Sequence, residues 1–423
     1  MKLDTDRESP FSRQVQHDRK RQAILSVAAR QFNEKGSRAT TLLDIAQELN
    51  LTKTSLYYYI KTKQELIYLC YLASCEHAKA SLDEADRRGH TGLDKILWIQ
   101  RLMIRSIREV LLGRSAQIAV LSEIPVLKGS HRREITERYW QTLERLKSFL
   151  EIGYADGSIA KYDVTLTAYA VFNALQWLIP WLFRQPPEEF DEIERQASEI
   201  LTHGLFLDRS RPWPKLNLDD LEQPFIATFD RDTQNRLKQE AFFRTGTEFF
   251  NKKGFKGTSL DEIAEALHVT KGAFYYHLTN KDDLLWACFD RSLNLVARFQ
   301  AKAAKEATNG QDKLSRAVGY LFAIQNSSHA PLIRRGLLSA IVDERKQELA
   351  DRLEEATQRF GGFIREGIEE GSLRPADPTV AQQLIVGAVN GADNLQEDIK
   401  TDALSDTAEK YFSFVFHGLS ARD

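Results

Sequence analysis

The sequence contains one residue pattern twice, and each residue of the first copy is followed by its counterpart 218 positions later, as Gly36 is by Gly254. Between Lys35 and Leu66, 13 of 32 positions are identical to the second copy, without a gap. The shared residues include Thr40, Ile45, Ala46, Leu49, Thr52, Lys53, Tyr57, Tyr58, Lys63 and Leu66, which recur as Thr258, Ile263, Ala264, Leu267, Thr270, Lys271, Tyr275, Tyr276, Lys281 and Leu284. Solenoid repeats are only roughly 20–50 residues long. The chain therefore contains a duplicated domain.

Length and composition fit a globular protein of two units. The 423 residues exceed one typical domain of roughly 100–200 residues, and no apolar run approaches the roughly 18 residues that span a membrane. The polar start at Met1 lacks the apolar segment of a signal peptide, which predicts a cytoplasmic location. The cysteines Cys70, Cys75 and Cys288 form no CxxC or Cys/His cluster, which predicts buried thiols and no metal or other cofactor.

Positive charge is concentrated in the first copy of the pattern. The net charge of the chain is −2, but residues 18–66 contain nine Lys/Arg and five Asp/Glu, a net charge of +4. Residues 236–284 contain eight and seven, a net charge of +1, so the rest of the chain carries −7. A nucleic-acid surface requires such a local excess of basic residues.

Helical periodicity runs through almost the whole chain, and glycine and proline are sparse, so we expect an all-α fold of two units. A stretch with Pro212, Pro214 and Pro224 lacks this period, which predicts a linker. The predicted domains are a disordered arm (1–17), a first helical motif (18–75), a first rear region (76–207), the linker (208–234), a second motif (235–292) and a second rear region (293–423).

The two rear regions are also related to each other, at a separation of 214 residues. The aligned residues are Arg138, Arg145, Gly153, Gly157, Ser158, Asp163 and Thr165, with Arg352, Arg359, Gly367, Gly371, Ser372, Asp377 and Thr379. An apolar helical segment follows in each region, at 165–183 and at 379–396.

The first copy of the short motif has the pattern of a helix-turn-helix. A first helix ends at Gly36, since glycine favours the left-handed position after a helix. A second short helix follows, and a turn at Asn50 leads to Thr52, a favourable N-cap for a third helix that ends near Ile60. The apolar residues that face inward are Ile24, Val27, Ala28, Phe32, Ile45, Ala46 and Leu49.

The third helix has a polar outward face that carries tyrosines. At about 100° per residue, Leu56 and Ile60 face inward. The outward residues are Thr54, Tyr58 and Lys61 in the first copy and Gly272, Tyr276 and Thr279 in the second, where Phe274 and Leu278 face inward. Tyrosine hydroxyls can donate to phosphates, and the rings can contact sugars or thymine methyls. The alternative is that the tyrosines cap a core, above all Tyr57 and Tyr275.

A lysine stands in the first turn of the next helix in both copies. Thr62 and Glu65 have the spacing of a capping box around Lys63, and Asn280 and Asp283 repeat it around Lys281. A positive charge there opposes the helix dipole. A bound anion such as a DNA phosphate would remove the conflict.

The run Thr-x-x-x-Ile-Ala-x-x-x-x-x-Thr-Lys-x-x-x-Tyr-Tyr, followed by Lys-x-x-Leu, resembles the DNA-binding domain of the TetR/AcrR family of bacterial repressors. The family usually has glycine after its second helix, where this chain has Asn50 and His268. The resemblance implies double-stranded DNA as partner and these DNA contacts in the first copy: Thr41, Thr52, Lys53, Ser55, Tyr57, Tyr58, Tyr59 and Lys63. Those of the second copy are Ser259, Thr270, Lys271, Ala273, Tyr275, Tyr276, His277 and Lys281.

Family members usually bind DNA as homodimers, so a tandem chain is expected to form an intramolecular pseudo-dimer. Dimerisation of whole chains stays open. The two third helices differ at three outward pairs, namely Thr54 and Gly272, Tyr59 and His277, and Lys61 and Thr279. We therefore expect an asymmetric operator with unlike half-sites.

By the same resemblance, the rear regions form a four-helix interface and bind a small inducer. Their pattern is similar to branches that sense acyl-CoA thioesters or related lipid metabolites, and an apolar drug-like inducer is the alternative. The residues expected at the ligand are Arg138, Arg145, Trp177, Arg352 and Arg359. The alternatives are that the arginines are solvated or form ion pairs with the nearby Glu137, Glu144 and Asp351, and that the aromatic residues pack in the core and the interface.

Enzyme activity finds no support in the sequence. There is no phosphate-binding glycine-rich loop, no HExxH and no GxSxG-type nucleophile turn. The sequence thus predicts a DNA-binding repressor that a small molecule releases. A constitutive architectural DNA-binding or interaction protein without an inducer is the alternative.

Overall fold

A computed structural model describes residues 13–121, 123–218, 231–269, 280–326, 331–341, 344–395 and 404–421. The helices of the first half are α1 (Arg13–Ala39), α2 (Leu42–Glu48), α3 (Lys53–Tyr59), α4 (Lys63–Arg88), α5 (Gly92–Leu111), α6 (Gly129–Asp156), α7 (Val164–Leu182) and α8 (Phe190–His203). Those of the second half are α9 (Arg231–Gly257), α10 (Leu260–Ala266), α11 (Lys281–Glu306), α12 (Gly310–Gln325), α13 (Arg345–Glu369), α14 (Pro378–Gly391) and α15 (Leu404–Phe416).

Short 3-10 helices lie at Ile124–Val126, Pro187–Glu189, Arg335–Ala340 and Ala392–Leu395. Apart from two isolated β-bridges, the regular structure of the described ranges is helical, which confirms the all-α prediction. Every helix in these ranges is too short or too polar to cross a bilayer.

Each half begins with a helix-turn-helix unit that has a core of its own. In the first unit, α1 to α3 and the start of α4 bury Ile24, Ala28, Ile45, Leu56 and Leu66. In the second unit, a separate cluster contains Phe250, Ile263, Ala264, Leu284 and Phe289. Gly36 and Gly254 have φ angles of 78° and 71°, so each first helix breaks where the sequence predicts its end.

The long helices α4 and α11 join these units to the rear regions without a break. Along α4, Cys70 and Cys75 belong to the core of the first unit, whereas Leu82 and Ala85 belong to the core of the rear region. Between Cys75 and Leu82, the side chains of α4 therefore change from packing in the core of the first unit to packing in the core of the rear region. A continuous helix transmits any movement of the rear region directly to the unit ahead of it.

The two rear regions share one hydrophobic core and form the predicted intramolecular pseudo-dimer. Helix α7 packs on α14, α15 packs on α7, and α8 packs on α14. A single cluster of buried residues contains Val171 and Leu175 of the first half together with Leu384 and Phe412 of the second half. Helix α14 ends at Gly391, earlier than the predicted 396, and a short 3-10 helix follows.

The ends of α8 and α15 meet in reciprocal backbone hydrogen bonds between the two halves. The backbone N–H of Phe206 donates to the carbonyl of Phe416 at 2.8 Å, and the N–H of Leu419 donates to that of Leu201 at 2.7 Å. Gly204 and Gly418 have positive φ angles, and an added Cβ on either one would overlap the backbone of the other. Only glycine fits both conditions.

Two of the predicted boundaries differ from the structure. The predicted arm of residues 1–17 lies outside the described residues up to residue 12, but α1 already begins at Arg13. The predicted linker is not a free tether over residues 208–218. Trp213 and Leu216 pack against the shared core, and the carbonyl of Asp208 accepts a hydrogen bond from Gln311 at 2.9 Å. The second half begins its first helix at Arg231, before the predicted end of the linker.

The turn between the second and third helices has a left-handed residue in both units. Asn50 has a φ of 53° and His268 a φ of 54°, at the positions where glycine is usual in the family that the sequence resembles. Both side chains carry the Cβ penalty of roughly 1–2 kcal/mol, which asparagine offsets better than histidine because its short side chain can bond locally.

We expect His268→Gly to raise the free energy of unfolding of the second helix-turn-helix unit by up to about 1 kcal/mol, because the left-handed strain is removed. Asn50→Gly is the matched control and should change stability by less. Urea unfolding followed by amide exchange in each unit would measure both. A loss of stability in His268→Gly would contradict the strain argument.

Candidate nucleic-acid interface

Helix α3 is fixed by its inward side, which leaves the opposite side exposed. Leu56 and Ile60 are fully buried, as the sequence predicts. The Thr52 hydroxyl accepts the backbone N–H of Ser55 at 3.1 Å and caps the helix. The side chains of Thr52, Lys53 and Ser55 are exposed. A short helix held by two apolar anchors and a polar cap presents a rigid surface.

The tyrosines of α3 differ in exposure. Tyr58 is 69% exposed and Tyr57 is 38% exposed, with the Lys53 ammonium 5.8 Å from the centre of the Tyr57 ring. Tyr59 is half-buried and packs against the core of the first unit. Tyr58 thus has the position expected of a residue that touches a partner, while Tyr59 also contributes to the fold.

The start of α1 lies beside these tyrosines. The His17 ring is 4.9 Å from that of Tyr59 and 5.9 Å from that of Tyr58. Arg19 and Lys20 follow on the same helix and are exposed. Residue 17 belongs to the predicted disordered arm, because the polar start of α1 has no apolar period that marks a helix.

Several residues of the predicted interface already act as helix caps. Thr41 forms a reciprocal capping box with Asp44 at the start of α2, and Ser259 accepts the backbone N–H of Asp261 at 3.2 Å at the start of α10. Both hydroxyls keep a proton that can be donated to a phosphate. Helix N-termini that point outward favour anions, so caps and phosphate contacts are compatible here.

The first-turn lysines are held inside the protein. The Lys281 ammonium donates to the carbonyl of Thr258 at 3.0 Å and lies 4.4 Å from the centre of the Phe255 ring. Lys63 is half-buried, and burial followed by the repulsion of Lys256 lowers the pKa of Lys63. The Thr258 carbonyl and the Phe255 ring therefore offset the unfavourable charge of Lys281 without a DNA phosphate.

Most of the interface predicted for the second unit cannot be placed. Thr270, Lys271, Ala273, Tyr275, Tyr276 and His277 lie outside the described residues. Ser259 and Lys281, at the two sides of this segment, are in positions equivalent to Thr41 and Lys63.

Each helix-turn-helix unit binds an extended segment of its own rear region through an asparagine. Asn33 donates to the carbonyl of Ile118 at 2.7 Å and accepts the N–H of Val120 at 2.8 Å. Asn251, 218 positions later, binds the carbonyl of Leu332 at 2.9 Å and the N–H of Arg334 at 3.0 Å. This pair is absent from the predicted functional residues, although an identical polar residue in both copies is a signal in the sequence.

These extended segments also reach across to the opposite half. Glu123 accepts the backbone N–H of Ser37 at 2.8 Å and the hydroxyl of Ser339 at 2.6 Å, so one carboxylate joins α1 to the second half. Around Gly254, the α9 helix approaches Pro125 of the first half. Each unit is therefore attached to both halves, which fixes its position relative to the other unit.

The arginines expected at a ligand have carboxylate partners. Arg138 pairs with Glu76 and with Glu134 (3.2 Å), and Arg145 pairs with Asp86. In the second half, Arg352 pairs with Asp290 at 2.8 Å and Arg359 with Glu355 at 2.9 Å. Arg145 also lines an open groove of about 950 Å³ along α6, together with Trp140. The fifth ligand residue, Trp177, lies at the contact between α7 and α14, where its Nε1 donates to Gln383 at 3.0 Å.

Two family models each match the chain twice. The model of bacterial regulatory proteins of the tetR family matches residues 24–68 and 243–288, and the tetracyclin repressor-like C-terminal domain matches residues 100–205 and 307–394. The chain belongs to the TetR family. It is a tandem member, with two complete TetR units in one chain, and the family consists of helix-turn-helix transcriptional regulators rather than enzymes.

Individual relatives each match about one TetR unit. The Transposon Tn10 TetC protein of Escherichia coli is 29% identical over 138 residues, which are 33% of this chain and 69% of that protein. The HTH-type transcriptional repressor KstR2 of Rhodococcus jostii is 26% identical over 193 residues, 44% of this chain and 91% of that protein. The TetR family regulator PfmR from Thermus thermophilus is a solved structure with 26% identity and a TM-score of 0.37, covering 42% of this chain and 95% of that one.

We expect Asn33→Ala to lower the free energy of local opening of residues 116–121 in the first TetR unit by about 1–2 kcal/mol, because two backbone groups lose their partners. Asn251→Ala should loosen residues 331–334 instead, so each variant is the control for the other. Amide hydrogen exchange would measure both segments. If either variant increased amide exchange equally in both segments, the claim that each asparagine holds the segment of its own unit would be contradicted.

Proposed function

We propose that one chain represses transcription by occupying both halves of an asymmetric operator, and that a small anionic effector releases it. The support for a single-chain complex is the shared core of the rear regions, which holds two helix-turn-helix units on one body. A homodimer of TetR units would read a palindrome, since identical units read identical half-sites. This chain carries two different units.

The support for unlike half-sites is the difference between the outward residues of the two third helices. Thr54, Tyr59 and Lys61 in the first unit correspond to Gly272, His277 and Thr279 in the second. The first unit also has a net charge of +4 against +1 over the equivalent residues. It should therefore make more phosphate contacts and contribute more of the salt dependence of binding.

The single chain should bind a fragment of DNA from upstream of its own gene with first-order dependence on protein, and native mass spectrometry should find one chain per duplex. Tyr58→Phe should weaken binding about three- to tenfold, because one hydrogen bond to DNA is lost and its net worth is about 1 kcal/mol. Tyr68→Phe is the matched control, since that hydroxyl donates to Glu134 at 2.8 Å, away from α3. Two chains per duplex would refute the single-chain complex.

The support for an anionic effector is the surroundings of Arg335. Its guanidinium lies 4.9 Å from the centre of the Trp177 ring of the opposite half, and within the described ranges the carboxylate that acts on its charge is that of Glu354. Burial and the positive charge of Arg184 lower the pKa of Arg335 to about 10. A carboxylate or phosphate bound there would relieve this repulsion.

The position of Arg335 would connect such an effector to the DNA-binding units. Arg335 directly follows Arg334, whose backbone N–H is bound by Asn251 of the second helix-turn-helix unit. It also begins the 3-10 helix that contacts α1 of the first unit. An acyl-CoA thioester or a related lipid metabolite has phosphates for Arg335 and Arg184 and an apolar chain, which makes it the effector class that we test first.

We expect decanoyl-CoA to raise the melting temperature of the protein and to release it from the operator, whereas Arg335→Gln should weaken this response at least about tenfold through loss of a charged contact. Arg87→Gln, at an exposed arginine of α4, is the matched control and should respond like the unaltered protein. Coenzyme A alone would separate the phosphates from the acyl chain. No response to any of these compounds would instead favour a constitutive DNA-binding protein without an inducer.

A further inference from the structure

Helices α7 and α14 occupy equivalent places in the two halves, but their contact is not symmetric. Both begin at an aspartate N-cap, Asp163 and Asp377, which are 214 positions apart. At the same separation, Asn173 corresponds to Gly387 and Trp177 corresponds to Gly391. The first half therefore has two large side chains where the second half has none.

The two glycines receive these large side chains. A Cβ added to Gly387 would lie 2.6 Å from the Cβ of Trp177 and 2.8 Å from the Cα of Ala174. A Cβ added to Gly391 would overlap the Asn173 side chain and lie 2.5 Å from its Nδ2. Real Cβ atoms do not approach other atoms so closely, so any larger residue at either glycine would push the helices apart.

The polar contacts of this helix pair are equally one-sided. Trp177 donates to the buried Gln383 at 3.0 Å. The symmetric contact would join Gly391 to Tyr169, and glycine has no side chain that could donate. Asn173 instead donates to the Tyr169 carbonyl within its own helix, at 2.8 Å.

We infer that this interface is built to pair a first half with a second half and to exclude pairing of like halves. In an isologous pair of two α7 helices, Trp177 of each copy would meet Asn173 of the other. In the structure, glycine occupies the position opposite each of these side chains. In a pair of two α14 helices, the same places would be empty. Overpacking and cavities both destabilise a close-packed interface.

Residues Asn173, Trp177, Gly387 and Gly391 are thus specificity residues for pairing. Because of these residues, a first TetR unit pairs with a second TetR unit and like units do not pair. Two chains that meet through these faces could pair only by exchanging complementary halves. This inference concerns assembly and does not depend on the proposed operator or effector.

The inference is tested in the full chain by three variants. Gly387→Asn with Gly391→Trp places large residues on both helices, and Asn173→Gly with Trp177→Gly places glycine on both. The fourfold variant combines these changes and exchanges the large and small residues between the helices. Melting temperature and mass by light scattering are measured for each variant and for the unaltered chain.

We expect both twofold variants to melt at least about 5 °C below the unaltered protein, because the contact is overpacked in one variant and contains cavities in the other. The fourfold variant should recover at least half of the lost melting temperature and remain a single chain. A twofold variant as stable as the unaltered chain would overturn the inference. A fourfold variant that melts no higher than the twofold variants would also overturn the inference, because complementarity of the two helices would then have no effect on stability.

Discussion

The interaction on which the rest of the structure depends is the burial of α7 against α14. Each rear region leaves an apolar helix face that it cannot cover alone, and the two faces close on each other within one chain. This contact merges the rear regions into a single hydrophobic core. It also sets the positions from which α4 and α11 carry the two helix-turn-helix units.

The units are held to this core by hydrogen bonds as well as by the continuous helices α4 and α11, and those hydrogen bonds have a clear pattern. Asn33 and Asn251 bind the extended segments of their own halves, and Glu123 joins the first unit to Ser339 of the second half. Because these segments connect helices of the rear regions, a change in the core can reach α3 through them as well as through the continuous helix α4. Together these two routes are the physical basis for coupling between an effector and DNA.

The fold was largely predictable from sequence, because the duplication supplied two independent copies of each signal. Helix ends at Gly36 and Gly254, the inward pair Leu56 and Ile60, and the interface helices all follow from periodicity and glycine chemistry. The packing of Trp213 and Leu216 could not be predicted, since it occurs in a segment without secondary structure. The start of α1 at Arg13 was missed because its first turns are polar all round.

The candidate site was predictable only in part, for a similar reason. The exposed position of Tyr58 follows from the angle around a helix, which depends on neighbours in sequence. The ion pairs of Arg138 and Arg352 and the contact of Arg335 with Trp177 depend on residues far away in the chain. The local spacing of four residues indicates the pairs of Arg138 with Glu134 and of Arg359 with Glu355, but no local pattern indicates the contact of Arg335 with an aromatic ring.

The central claim, that one chain places two different units on one operator in a fixed order, can be tested by directed DNA cleavage. An iron chelate would be attached to a cysteine at Gln47→Cys in the first unit or at the equivalent Glu265→Cys in the second, both exposed positions. The native cysteines are buried, and burial raises the pKa of Cys288 to about 12, which restricts labelling to the new thiol. The expected result is cleavage at one end of the operator by the first variant and at the other end by the second. Cleavage at both ends by each variant would contradict the claim.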